Sequence, residues 1–90
     1  MTATQVEIVT PEGTLFSGQA EMVTCRTEGG DIAFLANHMA YVGELRPGEL
    51  RVVNPEGSGG SELRFEVGGG FVEVNANRVV AACDSARRLA

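Results

Sequence analysis

The chain carries one imidazole, His38, and two thiols, Cys25 and Cys83, and any nucleophilic, acid–base or soft-metal chemistry would have to be built from these. His38 follows Ala36 and Asn37 in a polar break and precedes Met39, with no serine or cysteine near it in sequence to activate. A histidine metal site would need thiols or carboxylates brought in by folding, so His38 reads as a loop residue with a hydrogen-bond or partner-contact role. Cys25 and Cys83 are far apart, fit no CxxC metal or redox spacing, and each lies in an apolar strand-like run. They read as buried reduced cysteines. A disulfide would require their strands to be neighbours, which the sequence leaves open.

The remaining candidates are weaker. Glu28, Asp31, Glu44 and Glu49 flank turns, where charged side chains are ordinarily just solvated. Gly68-Gly69-Gly70 lacks the lysine and Ser/Thr of a phosphate loop and leads into a strand rather than a helix. Three glycines between strands suit a bulge, a sharp corner or the close approach of another backbone. No catalytic constellation emerges, and neither a cofactor nor a metal is expected. A domain without chemistry works by shape and surface, as a structural subunit of a larger machine or as a small-ligand-binding sandwich.

The elements that position these residues are strands. Residues 5–9 alternate, with Val6 and Ile8 on one side and Glu7 on the other. Thr10-Pro11-Glu12-Gly13 is a turn. A short apolar piece, residues 14–17, is punctuated by Gly18, and in residues 20–27 Val23 and Cys25 face opposite to Thr24 and Arg26. The segment from Glu28 to Gly48 organises the chain: a glycine turn, a strand through Ile32 and Phe34, the His38 break, a strand from Tyr41 to Leu45, and a Pro47-Gly48 turn. Residues 49–53 pair with that strand or with the next. Residues 54–61, NPEGSGGS, form a surface hairpin tip. Leu63, Phe65 and Val67 then point in, as do Val72 and Val74, and Ala76-Asn77 turns the chain into residues 78–83. Strands recurring every 8–12 residues or so, with turns between, indicate a sandwich or barrel. Asp84 could cap a helix in the last seven residues, although isolated helices need about 12–15.

Ninety residues make one domain. A net charge of −5 and a pI near 4.7 argue against nucleic acid, because phosphate binding needs clustered cations and the arginines here are scattered. Direct binding to anionic lipid is disfavoured on the same ground. No apolar run approaches the roughly 20 residues that span a bilayer. The N-terminus has neither a basic start nor an apolar signal core, so retention in the cytosol is expected.

Phe16-Ser17-Gly18, Val23 with Cys25, Glu28-Gly29-Gly30, His38, Leu45 with Arg46-Pro47-Gly48 and Arg51, and Gly69-Gly70 with Glu73-Val74 and Asn77 together resemble the epsilon subunit of F-type ATP synthases. The likeness runs over essentially the whole chain, and the motifs, weak singly, are specific in order. Relatives commonly carry Pro-Gly-His where this chain has Ala36-Asn37-His38. The resemblance implies an all-β fold, a flattened β-sandwich of two antiparallel sheets with about ten short strands, covering residues 1–84 ahead of a tail at 85–90. It implies a non-catalytic rotor part at the foot of the central stalk, held by the gamma subunit and resting on the membrane c-ring, monomeric when isolated and peripheral to the cytoplasmic face of the bacterial plasma membrane. Asp31, aided by Glu28, takes the place that faces the c-ring. Thr10, His38 and Gly43 match positions that face gamma. The family usually continues into a two-helix domain that inhibits hydrolysis or binds ATP, and the expectation for this sequence, ending at Ala90, is neither.

Overall fold

The computed structural model describes residues 3–56 and 60–89. Nine strands are present among them: β1 (Thr4–Thr10), β2 (Gly13–Thr27), β3 (Gly30–Leu35), β4 (Tyr41–Leu45), β5 (Gly48–Pro55), β6 (Glu62–Val67), β7 (Gly70–Asn75), β8 (Arg78–Cys83) and β9 (Ala86–Arg88). They form two layers of a flattened sandwich measuring 31 × 30 × 22 Å. One layer runs β4-β7-β8-β1 and ends on the first half of β2, and the other runs β3, the second half of β2, β5, β6 and β9. The expected all-β sandwich is therefore present, with one pair that is not antiparallel: β1 lies parallel to β8, Val6 beside Val79 and Ile8 beside Ala81. Parallel neighbours need a long connection, and nearly the whole chain lies between these two.

β2 departs from its sequence reading. Gly18 was expected to break it, yet the strand runs unbroken through fifteen residues. Gly18 pairs with Val6 in regular register, and the Phe16 ring lies 3.4 Å from the place a Cβ at 18 would take. The glycine leaves room for an aromatic rather than ending a strand. The first half of β2 pairs with β1, the second half lies between β3 and β5, and a last rung joins Thr27 to Leu45 of β4. One strand thus belongs to both layers and borders the first layer at each of its two edges.

The tail expected at 85–90 is in part a strand of the sheet. Ala86–Arg88 forms no helix but a strand on the edge of β6, with Phe65 opposite Arg88 and the Leu89 amide donating to the Arg64 carbonyl at 2.8 Å. Seven residues are too few for a helix to hold itself, whereas the open edge of β6 supplies ready partners. β5 pairs with β6 and β2 and not with β4. The hairpin tip at 54–61 is closed by the Asn54 amide bonding the Ser61 carbonyl at 3.0 Å, and residues 57–59 lie outside the described residues.

The core follows the period-two pattern. Val6, Ile8, Val23, Phe34, Leu45, Leu50, Val52, Phe65, Val72, Val74 and Val79 are buried between the layers. On the outer face of the second layer Arg51 sits directly opposite Arg64. Like charges in that relation repel. Glu49 offsets them by bonding Arg51 Nε at 2.6 Å and Arg64 Nη1 at 3.4 Å. Arg87 and Glu66 pair across the next rung at 2.8 Å.

Candidate partner-docking site

The acidic turn between β2 and β3 is built from Thr27. Its hydroxyl donates to the Gly30 carbonyl at 3.0 Å and accepts the Gly29 amide at 3.2 Å, which fixes the turn from inside. Glu28, at the tip, is engaged twice with β4: its amide donates to the Glu44 carbonyl at 3.1 Å, and its carboxylate accepts the Glu44 amide at 2.8 Å. The Arg46 amide adds a bond to the Arg26 carbonyl at 2.8 Å. Glu28 therefore clamps the turn to β4. Asp31 is different: it sits opposite Arg26 in register, accepts from Arg26 Nε at 3.1 Å, and remains 78% exposed. An exposed pair of that kind contributes about 0–1 kcal/mol. Asp31 also lines a depression of about 350 Å³ shared with Arg26, Glu49 and Arg51. The structure thus brings Glu28 and Asp31 to one turn, one held down and the other presented.

The three other positions do not converge on one cluster. Thr10 closes the β1–β2 turn, donating to the Gly13 carbonyl at 3.3 Å and accepting the Glu12 amide at 3.2 Å. Gly43 lies within β4 opposite Val72, three strands from β1 in the same layer. Its side-chain direction is inward, beneath the Tyr41 ring, so what β4 shows outward around it is Val42, 70% exposed, and Glu44. Phe71 of β7, 62% exposed, stands opposite Glu44 on that same face. Alternation carried this signal, since in FVEVN the inward Val72 and Val74 force Phe71 out beside Glu73.

His38 belongs to the loop between β3 and β4. Its ring meets the buried Phe34 edge-on, centroids 5.0 Å apart, and Phe34 in turn packs against Tyr41 at 5.4 Å. His38 Nδ1 lies 2.7 Å from the Met39 carbonyl oxygen, which can only accept, so Nδ1 carries the proton. Asn37 stands at φ 64°, and its amide donates to the Asn77 side-chain oxygen at 2.8 Å. In the sequence Asn77 is legible as a turn residue and as one member of the family pattern, but not as a partner of Asn37. Its contact spans 40 positions and leaves no local signature.

Cys25 and Cys83 are buried and free. Burial is the main cause that pushes each thiol up to about 11, with Cys83 adding to Cys25 and Asp84 adding to Cys83. They stand on facing layers near enough to influence one another. Thiols so raised are poor nucleophiles at neutral pH. Among the described residues no group of three or more His, Cys, Asp or Glu side chains could hold a metal ion, and no helix is long and apolar enough to cross a membrane. What the geometry offers is contact: a presented carboxylate at one turn, an anchored imidazole loop, and an outer sheet face with apolar side chains among carboxylates.

Residues 3–89 match the family described as ATP synthase, Delta/Epsilon chain, beta-sandwich domain. The ATP synthase epsilon chain of Desulforudis audaxviator is 44% identical over 87 residues, covering 96% of this chain and 61% of that protein. That of Brevibacillus brevis is 38% identical over 86 residues, covering 96% and 63%. The chain thus spans about three-fifths of the length of the relatives it matches. Among solved structures, a chain of the Euglena gracilis mitochondrial ATP synthase (OSCP/F1/c-ring) superposes with a TM-score of 0.87 at 24% identity, over 98% of this chain and 54% of that one. A chain of the Tetrahymena thermophila mitochondrial ATP synthase (central stalk/c-ring) gives 0.71 at 22% identity, over 92% and 64%. At those identities the structures speak for the fold, and the family match with the closer sequences speaks for descent: the chain belongs to the delta/epsilon β-sandwich family of ATP synthase chains.

Proposed function

We propose that this domain is a non-catalytic rotor element of an F-type ATP synthase, joining the gamma subunit of the central stalk to the membrane c-ring and coupling proton flow to ATP synthesis. The observation that carries the reading is the family match over residues 3–89 together with epsilon-chain relatives 36–44% identical. The domain makes and breaks no bond. Its task is mechanical, and a close-packed interior suits it because such interiors resist deformation. Asp31, on a turn that Glu28 clamps, meets the polar loops of the c-ring. Thr10, the His38 loop and the β4 strand around Gly43 meet gamma, with Val42 supplying apolar contact area. The domain is monomeric when isolated, binds no nucleic acid, and reaches the cytoplasmic face of the bacterial plasma membrane only through the complex.

Mixing this chain with its cognate gamma subunit tests the reading. A 1:1 complex by size-exclusion chromatography with mass detection is expected, and separate peaks at micromolar concentration overturn it.

A further inference from the structure

Three segments distant in sequence meet at Asn77. Its side-chain nitrogen donates to the Ala3 carbonyl at 2.8 Å, and its side-chain oxygen accepts the Asn37 amide at 2.8 Å. Its own carbonyl accepts both the Gln5 amide at 3.1 Å and the Thr4 hydroxyl at 2.9 Å. The carboxamide thus uses its donor end on the start of β1 and its acceptor end on the loop between β3 and β4. Asn77 can do this because it sits at φ 61°, after Ala76 at φ 50°, in a two-residue turn of the kind that asparagine tolerates. Asn37 lies past the end of β3, so its amide finds its partner outside the ladder.

We infer that Asn77 is the positioning residue of the His38 loop, its side-chain oxygen fixing Asn37 so that the imidazole, edge-on against Phe34, is presented to the partner in one orientation. The loop has two anchors of opposite kind. Phe34 holds the His38 ring from the core side, and Asn77 holds the backbone just ahead of it from the neighbouring turn. Besides these, the Leu35 carbonyl at the end of β3 accepts the His38 amide at 3.2 Å, a short-range turn bond that ties the loop to its own strand and not to the neighbouring turn. Presentation to gamma rests on the function proposed above; the fixing of the loop does not.

The chemistry of the carboxamide separates this role from general stability. Asn77→Asp keeps an oxygen for the Asn37 amide and loses the donor to Ala3. Asn77→Gly keeps the left-handed backbone and the carbonyl bonds to Thr4 and Gln5 and loses both side-chain bonds. Amide hydrogen exchange and the His38 ring resonances are read by NMR on the full chain, and gamma affinity by calorimetry. In Asn77→Gly the Asn37 amide is expected to exchange at least about tenfold faster while the Val23 amide in the core is unchanged, and gamma affinity to fall about tenfold. Asn77→Asp, whose second oxygen would face the Ala3 carbonyl as acceptor against acceptor, is expected to expose Asn37 only partly and to weaken gamma binding less than Asn77→Gly does. If Asn37 and Val23 accelerate together, or if Asn77→Asp exposes Asn37 as fully as Asn77→Gly, the positioning role is wrong. If the parent chain does not bind gamma, the rotor reading fails, and the exchange data alone decide whether Asn77 fixes the loop.

Discussion

The Tyr41 ring lies over Gly43, two residues along β4, in the space that a side chain at 43 would occupy. The pair shares the inward face of the strand, so the missing side chain lets the ring fold down along β4 toward Phe34. Gly43→Ala is expected to displace the ring and cost about 1–2 kcal/mol in urea unfolding, the range for overpacking a fitted site. The same substitution in a Tyr41→Ala background should cost clearly less, because the ring is already gone. Equal costs in both backgrounds would show that the ring is not the obstacle.

Gly70 is constrained by backbone rather than by a ring. At φ 136°, a Cβ there would overlap the Ala82 carbonyl oxygen of the paired strand β8 and lie 2.9 Å from the Cys83 Cα. Neither can swing aside. Gly70→Ala is expected to destabilise by at least about 2–3 kcal/mol, combining strained φ with a clash against a fixed ladder. Gly29→Ala, in a turn with only the Thr27 hydroxyl at 3.8 Å, should stay within about 0.5 kcal/mol and serves as the control.

Stability should fall in alkali through the two cysteines. Each thiol is raised from 9.0 to about 11 in the fold, first by burial. Above pH 9 the unfolded chain releases thiol protons that the folded chain retains. The unfolded state then binds fewer protons, and stability drops as pH rises from about 9 to about 11. Denaturant midpoints measured across that window should fall less steeply for the double variant Cys25→Ala, Cys83→Ala. Iodoacetamide at pH 8 should leave the native thiols largely unmodified and label them in urea.

Asp31→Arg should leave the isolated domain nearly as stable as the parent, within about 1 kcal/mol, because the Arg26 pair it removes is exposed. In membranes carrying the assembled enzyme, the same variant should weaken ATP-driven proton pumping relative to ATP turnover. Pumping equal to the parent would make Asp31 an ordinary solvated residue.

Much of the fold was legible because burial here obeys a period of two, and Val6, Ile8, Phe65, Val72 and Val74 declare their faces in sequence. Gly18 misled because a glycine in a strand looks like punctuation, and only the fold shows Phe16 lying against it. Ala86–Arg88 is two-thirds charged and has no apolar alternation, so its strand character comes from the open edge of β6 rather than from itself. At the candidate site, Asp31 was marked only by the family resemblance, since an acidic residue beside a glycine turn reads locally as a solvated charge. The clamps that hold the site, Glu28 on Glu44 and Asn77 on Asn37, join residues sixteen and forty positions apart, and such contacts have no local pattern to read.

The continuity of β2 through both layers bears on how the domain carries load. In a sandwich held only by side chains, one sheet can creep over the other by rearranging soft apolar contacts. Here sliding would have to bend or stretch a single covalent backbone that is bonded into each sheet, with a last rung at Thr27 and Leu45 holding its far end. A twist applied to one face is therefore delivered to the other through peptide bonds, with little lost as slip between the sheets.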